Sequence, residues 1–361
     1  MKNKKIDYIL FFTVILISIF GIIMIYSASS IWAEFKFNDA FKYVKHQTLF
    51  FIIGIFVMLI SSKLNLEYIK NKSNFILLTC LILLILVLIP GIGTVRNGSR
   101  SWFGIGGFGI QPSEFAKIGL IIYTAKYLER NQKNMQNVKK GALPIFLVIG
   151  IFFLLIMLEP DFGTAMVMAL TLVCLIFISG LKISFFVKLG VVGLLGIVGL
   201  IIAAPYRMAR IVSFLNPWSD PLGAGYQIIQ SLYAIGPGGL LGQGFMNSRQ
   251  KHFYLPEPQT DFIFSIISEE FGFLGVIIVC SFFFFIFYRM IRIAMKASNL
   301  FYKYLAFGLA FGIFIQASLN LAVVVGLIPV TGVTLPFFSY GGSSLLVSML
   351  SVGLVLNVSK K

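Results

Sequence analysis

The chain has few polar residues, and those whose spacing could do chemistry fall into four groups. The richest runs from Lys251 to Glu270. Within it Asp261, Ser265, Ser268 and Glu269 recur at helical spacing and form one polar stripe. Such a stripe cannot face lipid, so it borders a partner helix or a wet cavity. Asp261 heads the stripe. It is either the N-cap of the helix that follows or a carboxylate at a cavity mouth, where, near the cations of its own loop, it would serve as a general base.

A second stretch, Gln111-Pro-Ser-Glu-Phe-Ala-Lys117, opens a helix, because proline suits the first turn and an acid there complements the helix dipole. Glu114 and Lys117 are three apart on one face, and burying either ion alone in a bilayer is expensive, so they are expected to pair. That pair either orients the helix or leaves Lys117 near an anionic substrate group. The third stretch, Glu159-Pro-Asp-Phe-Gly-Thr164, is a tight turn in which Asp161 either caps the next helix or faces the same cavity as Glu114 and Lys117. The fourth group is cationic: Arg96, Arg100, Arg207, Arg210, Arg249 and Lys251. These residues bind anionic headgroups and rim acids, or they hold a diphosphate and stabilise its departure.

Other patterns carry less. Gly104 to Gly109 matches GxGxxG, but a membrane helix follows and no strand is expected before it, so it reads as flexible loop backbone and not a dinucleotide site. Cys80, Cys174 and Cys280 each sit in an apolar run and read as packing residues. His46 and His252 are too few and too far apart for a histidine metal centre.

All of these residues are set in a membrane. Of 361 residues, 58% are hydrophobic and 12% charged, against roughly 25% charged in soluble chains. Apolar windows long enough to cross a bilayer fall at 8–28, 44–62, 74–91, 112–129, 143–159, 162–181, 184–204, 263–288, 302–328 and 336–357. The expectation is an all-α polytopic membrane protein, a single domain over 1–361 with about ten transmembrane helices. The first window lacks a small-residue cleavage site and others follow it, so it is not expected to be a removable signal. With the N-terminus in the cytoplasm, 19 of the 29 Lys and Arg fall on cytoplasmic segments and nine outside, so both termini are expected there. The net charge of +16 is then a matter of topology and gives no argument for nucleic acid. Residues 205–262 form a long outer loop between the seventh and eighth helices, and 91–111 a second, Gly-rich one. Long structured loops usually carry function, which places activity outside. No internal repeat is evident, which disfavours an inverted-repeat transporter.

Six blocks, in order, carry a family resemblance: Arg100-Ser-Trp102 with Gln111–Lys117, Glu159–Thr164, Gly225–Ser231, Ala234–Gly239, Tyr254–Phe264 and Leu335–Ser344. Along essentially its whole length the chain resembles the SEDS family, the bacterial shape, elongation, division and sporulation proteins FtsW, RodA and SpoVE. Val95–Trp102 and Pro256–Asp261 look most like the FtsW and SpoVE branch. Gln259 stands where many division-type members have histidine, so no proton shuttle is assigned there. The resemblance implies a peptidoglycan glycosyltransferase that polymerises lipid II at the outer face of the bacterial cytoplasmic membrane. It also implies a class B penicillin-binding protein transpeptidase as partner, among other divisome membrane proteins. Asp261 matches the family's essential loop aspartate, and Glu114, Lys117 and Asp161 match other important positions. Substrate contacts are accordingly expected at Arg100, Glu114, Lys117, Asp161, Arg207, Arg210, Lys251 and Glu269.

Chemistry agrees with that expectation. Lipid II carries its sugar α-linked to a lipid diphosphate and the product is a β-1,4 glycan, so one in-line displacement with one base for the 4-hydroxyl suffices. Cations can neutralise the departing diphosphate, which then needs no acid, unlike a glycosidase leaving group. Asp261 is the expected base, or else an anchor for metal or substrate. A divalent cation, Mg²⁺ or Mn²⁺, is left open, and no nucleotide or organic cofactor is expected because the lipid-linked donor is already activated. A lipid II flippase and a non-catalytic divisome scaffold compete. The outer loop argues against the first, and the stripe below Asp261 against the second.

Overall fold

The computed structural model describes residues 6–96, 98–105, 108–202, 208 and 212–361, so Arg207 and Arg210 lie outside the described residues. Each of the ten apolar windows coincides with a helix: α1 (Tyr8–Phe37), α2 (Lys42–Ser61), α4 (Ser73–Leu88), α5 (Pro112–Asn131), α6 (Leu143–Leu158), α7 (Phe162–Ile178), α8 (Ile183–Ile202), α10 (Ile263–Met295), α11 (Leu300–Val324) and α12 (Gly342–Val358). Two shorter helices, α3 (Leu66–Asn71) and α9 (Tyr226–Ile235), lie between them. Side-chain caps set several starts: Asp7 accepts from the Leu10 N–H, Asn65 from Glu67 and Tyr68, and Asn299 from Tyr302.

By length and apolarity, five helical segments could cross a membrane, and four shorter apolar helices accompany them. The remaining window is α5, and its position explains its composition. It packs against α4, α7 and α11 and is buried along most of its length, so Glu114, Lys117 and Lys126 meet protein and not lipid. The lipid-facing work is done elsewhere, as on α8, whose Val187, Val191, Val192, Leu194 and Leu195 are all exposed.

Four departures from the sequence reading bear on the site. First, 91–111 is not flexible backbone: β1 (Thr94–Arg96), β2 (Ser99–Ile105) and β3 (Phe108–Ile110) form an antiparallel sheet in that order. A strand does therefore precede part of the GxGxxG stretch, though it belongs to a hairpin and not to a βαβ unit. Second, the ninth window ends at Val324 and the tenth begins at Gly342. Between them the backbone is irregular, with Gly326 and Gly332 at φ of 73° and 71°.

Third, α10 is broken at Gly272, where φ is 61°. Residues 239–244 fill the break: Phe273 and Leu274 donate to the Gly239 and Leu240 carbonyls at 2.9 and 3.1 Å, and Gln243 and Gly244 donate to Glu269 and Glu270 at 2.9 and 3.0 Å. Backbone groups freed inside a bilayer must find such partners. Fourth, the segment 205–262 is accordingly not all surface loop. α9 packs on α10, with Ile228, Ile229, Ser231 and Ala234 buried.

Candidate functional site

Asp261 sits half-buried just before α10. The Thr260 hydroxyl donates to its Oδ1 at 2.9 Å, and the Asn320 amide of α11 donates to its backbone carbonyl at 2.7 Å. The same amide donates to the Val333 carbonyl, also at 2.7 Å. One side chain thus fastens the Asp261 loop to the irregular segment between α11 and α12. A second tie runs from the Tyr340 N–H to the Gln259 carbonyl at 2.8 Å.

One turn along α11 from Asn320, Gln316 joins that segment to the charged pair of α5. Lys117 donates to Glu114 Oε1 at 2.9 Å and to Gln316 Oε1 at 2.8 Å. The Gln316 amide donates in turn to the Thr334 carbonyl at 3.1 Å and to Ser344 Oγ at 3.2 Å. All of Glu114, Lys117 and Gln316 are buried. Beneath Lys117 lies a cavity of about 30 Å³, lined also by Thr171, Gln316, Ser348 and Ser351, room for a single water.

Asp161 fulfils the first of its two sequence readings, the cap of α7. Its Oδ1 accepts from the Thr164 N–H at 3.0 Å, capping α7, and its Oδ2 accepts from the Gln111 amide at 2.7 Å at the head of α5. Burial pushes its carboxyl above the usual range, against the Thr164 hydrogen bonds; the Glu114 charge pushes the same way and Lys117 opposes it. Asp161 therefore shares the electrostatic field of the α5 pair. Its neighbour Glu159, in the same turn, is fully buried, and burial with the Asp161 charge pushes it up to about 9. The Ser99 hydroxyl of β2 donates to the Glu159 carbonyl, which docks the sheet on this turn.

Lys251 and Glu269 lie elsewhere. Lys251 is buried, and its ammonium donates to Glu270 Oε1 at 3.0 Å, to the Met246 carbonyl at 2.6 Å and to Ser27 of α1 at 3.3 Å. Glu269 accepts from the Ser248 hydroxyl at 2.5 Å and from the Arg249 and Gln250 N–H groups at 2.8 and 3.4 Å. The polar stripe below Asp261 thus meets protein: Ser265 meets Ser231 of α9 at 2.8 Å, and the two acids hold residues 248–251. Arg100 is half-buried and reaches the Leu88 carbonyl at 3.4 Å, and Arg96 lies over the Trp102 ring at 5.0 Å. Arg249 is exposed.

Two members of the network, Gln316 and Asn320, went unread in the sequence. Their signal was there, two amides four residues apart within an apolar window and hence on one helix face.

A family model described as "Cell cycle protein" and comprising FtsW, RodA and SpoVE matches residues 7–361. The chain belongs to this family. It is 50% identical over 359 residues to stage V sporulation protein E of Bacillus subtilis, covering 99% of this chain and 98% of that one. It is 42% identical to a probable peptidoglycan glycosyltransferase FtsW of a Geobacter species, covering 98% and 97%. Among solved structures it resembles a chain from a peptidoglycan synthase complex that coordinates polymerization and crosslinking, with TM-score 0.79, 32% identity and 98% and 97% coverage. It also resembles the rod shape determining protein RodA of Thermus thermophilus, with TM-score 0.73, 28% identity and 98% and 96% coverage. As a member of the FtsW, RodA and SpoVE family, the chain is a helical, multi-pass membrane protein.

Proposed function

We propose that the chain is a peptidoglycan glycosyltransferase. It polymerises lipid II into β-1,4 glycan at the outer face of the bacterial cytoplasmic membrane, with both termini in the cytoplasm and inversion at the anomeric carbon. The full-length likeness to relatives named as peptidoglycan glycosyltransferases supports the reaction class. One observation carries the site. Asp261 is a half-buried carboxylate whose loop is held from two sides, by Asn320 and by Tyr340. A carboxylate so held suits the task of taking the proton of the attacking 4-hydroxyl, which supports Asp261 as the base. Glu114, Lys117 and Asp161 act through the network that fixes the Thr334 segment beside it. Arg249 and Arg100 are the described cations available to the departing diphosphate, with Arg207 and Arg210 assigned the same role from sequence. Lys251 and Glu269 are assigned to holding the loop.

Among the described residues, no three His, Cys, Asp or Glu side chains come together. Asp261 is the carboxylate that would hold Mg²⁺ or Mn²⁺ together with the substrate diphosphate, and no step here runs through a metal. The partner that fits is a class B penicillin-binding protein transpeptidase, in line with the complex of polymerization and crosslinking to which the fold is similar.

The test is polymerisation of purified lipid II by the protein with its transpeptidase partner, native against Asp261→Asn. A loss of glycan of at least about 100-fold is expected, with the variant still folded. Undiminished glycan would remove Asp261 as base, and translocation of lipid II without polymer would favour a flippase.

A further inference from the structure

α1 is longer than a bilayer requires. Its 30 residues measure about 45 Å at 1.5 Å each, against a hydrocarbon core of roughly 30 Å. With Tyr8 at the cytoplasmic boundary, Trp32 to Phe37 stand at the outer headgroup layer. There they meet the loop that carries Asp261. Phe253 lies 5.6 Å from Trp32 and 5.3 Å from Phe35, edge to face in each case. These rings are not core: Phe35 is 77% exposed and Phe253 51%. Phe253 also has φ of 67°, a strained region for a residue with a side chain, which its half-exposed ring offsets only in part.

The patch is continuous with the candidate site. The Trp32 side chain lies close to the Tyr43 hydroxyl. Tyr43 packs edge-on to Tyr340 at 4.8 Å, and the Tyr340 N–H is bonded to Gln259, two residues before Asp261. Cations lie along this row, with the Lys36 ammonium 5.2 Å from the Trp32 ring and Lys42 3.2 Å from Phe37.

We propose that this aromatic row is a sugar-binding platform that holds the glycan strand beside Asp261. The idea rests on the polymerase reading. Pyranose rings present flat C–H faces that stack on aromatic rings and polar edges that need donors and acceptors, and the row supplies both. Lys36 and Lys42 match the carboxylates of the strand's peptide stems. An aromatic belt that merely grips the bilayer would have no reason to end on the Asp261 loop.

The protein has three tryptophans, so Trp102→Phe with Trp218→Phe leaves Trp32 as the single indole. Titrated with a lipid-free peptidoglycan tetrasaccharide, its fluorescence is expected to change saturably, with apparent affinity about tenfold weaker in Phe253→Ala. Phe35→Ala, on an exposed helix position that tolerates alanine, is expected to weaken binding as well and to shorten strands made from lipid II. No response to the sugar, or a response to empty vesicles alone, overturns the platform. Because this readout needs no turnover, it stands whether or not Asp261→Asn abolishes polymerisation, so the two readings fail separately.

Discussion

Glu159 is fully buried at the turn between α6 and α7, with only the Ser113 side chain near its carboxyl to oppose the effect of burial among the causes that shift it. Burial, with the Asp161 charge, raises it from 4.5 to about 9. The native protein therefore keeps the proton while the unfolded chain has lost it, at every pH between those values. Unfolding then releases a proton, so stability falls as pH rises, by about 1.4 kcal/mol per unit, and levels off above about 9. At pH 7.5, about three units above the unfolded value, the penalty reaches about 4 kcal/mol; at pH 5.5 it is about 1.4 kcal/mol. Glu159→Gln keeps the shape and has no proton to lose. Its advantage over the native protein should thus grow by up to about 3 kcal/mol between pH 5.5 and 7.5. In thermal unfolding of protein in lipid nanodiscs, the gain in Tm should be about 5 °C larger at the higher pH. An equal offset at both pH values, or a lower Tm at pH 7.5, refutes the neutral carboxyl.

Other outcomes follow from the same contacts. Lys117→Met strands Glu114 and should destabilise the fold by about 3–5 kcal/mol, with partial recovery in the double variant with Glu114→Gln, read as Tm. Gly272→Ala drives a Cβ into the Gly242 backbone nitrogen at a backbone angle that alanine avoids, so folded yield should collapse. Gly150→Ala, in a helix with open space at that position, should be neutral or stabilising by up to about 1 kcal/mol. Asn320→Leu releases the Asp261 and Val333 carbonyls at once, and should lower kcat for lipid II polymerisation by about 10–100-fold with a smaller change in KM.

Why some of this was legible in the sequence and some not follows from what each pattern encodes. Hydropathy reports exclusion from water, by lipid or by protein, so all ten windows were readable as helices, and the least apolar of them proved to be the enclosed α5. The Glu114–Lys117 pair and the Asp161 cap were readable because their partners are three residues away. The break at Gly272 was not, since its cause is the approach of residues 239–244, far away in sequence. The sheet was hidden because two of its strands are only three residues long and glycines stand between the strands in sequence. Lys251 and Glu269 show the sharper limit. A polar stripe on a membrane helix says that something other than lipid covers it, and both water and protein satisfy that condition. Here α9 and residues 248–251 supply the cover, so the acids below Asp261 bind backbone and a lysine, and only the residue at the head of the stripe stays half-exposed. On the proposed function, depth along the stripe separates the two roles: the carboxylate at the rim is assigned to exchange a proton with substrate, and those below it to hold the loop that presents it.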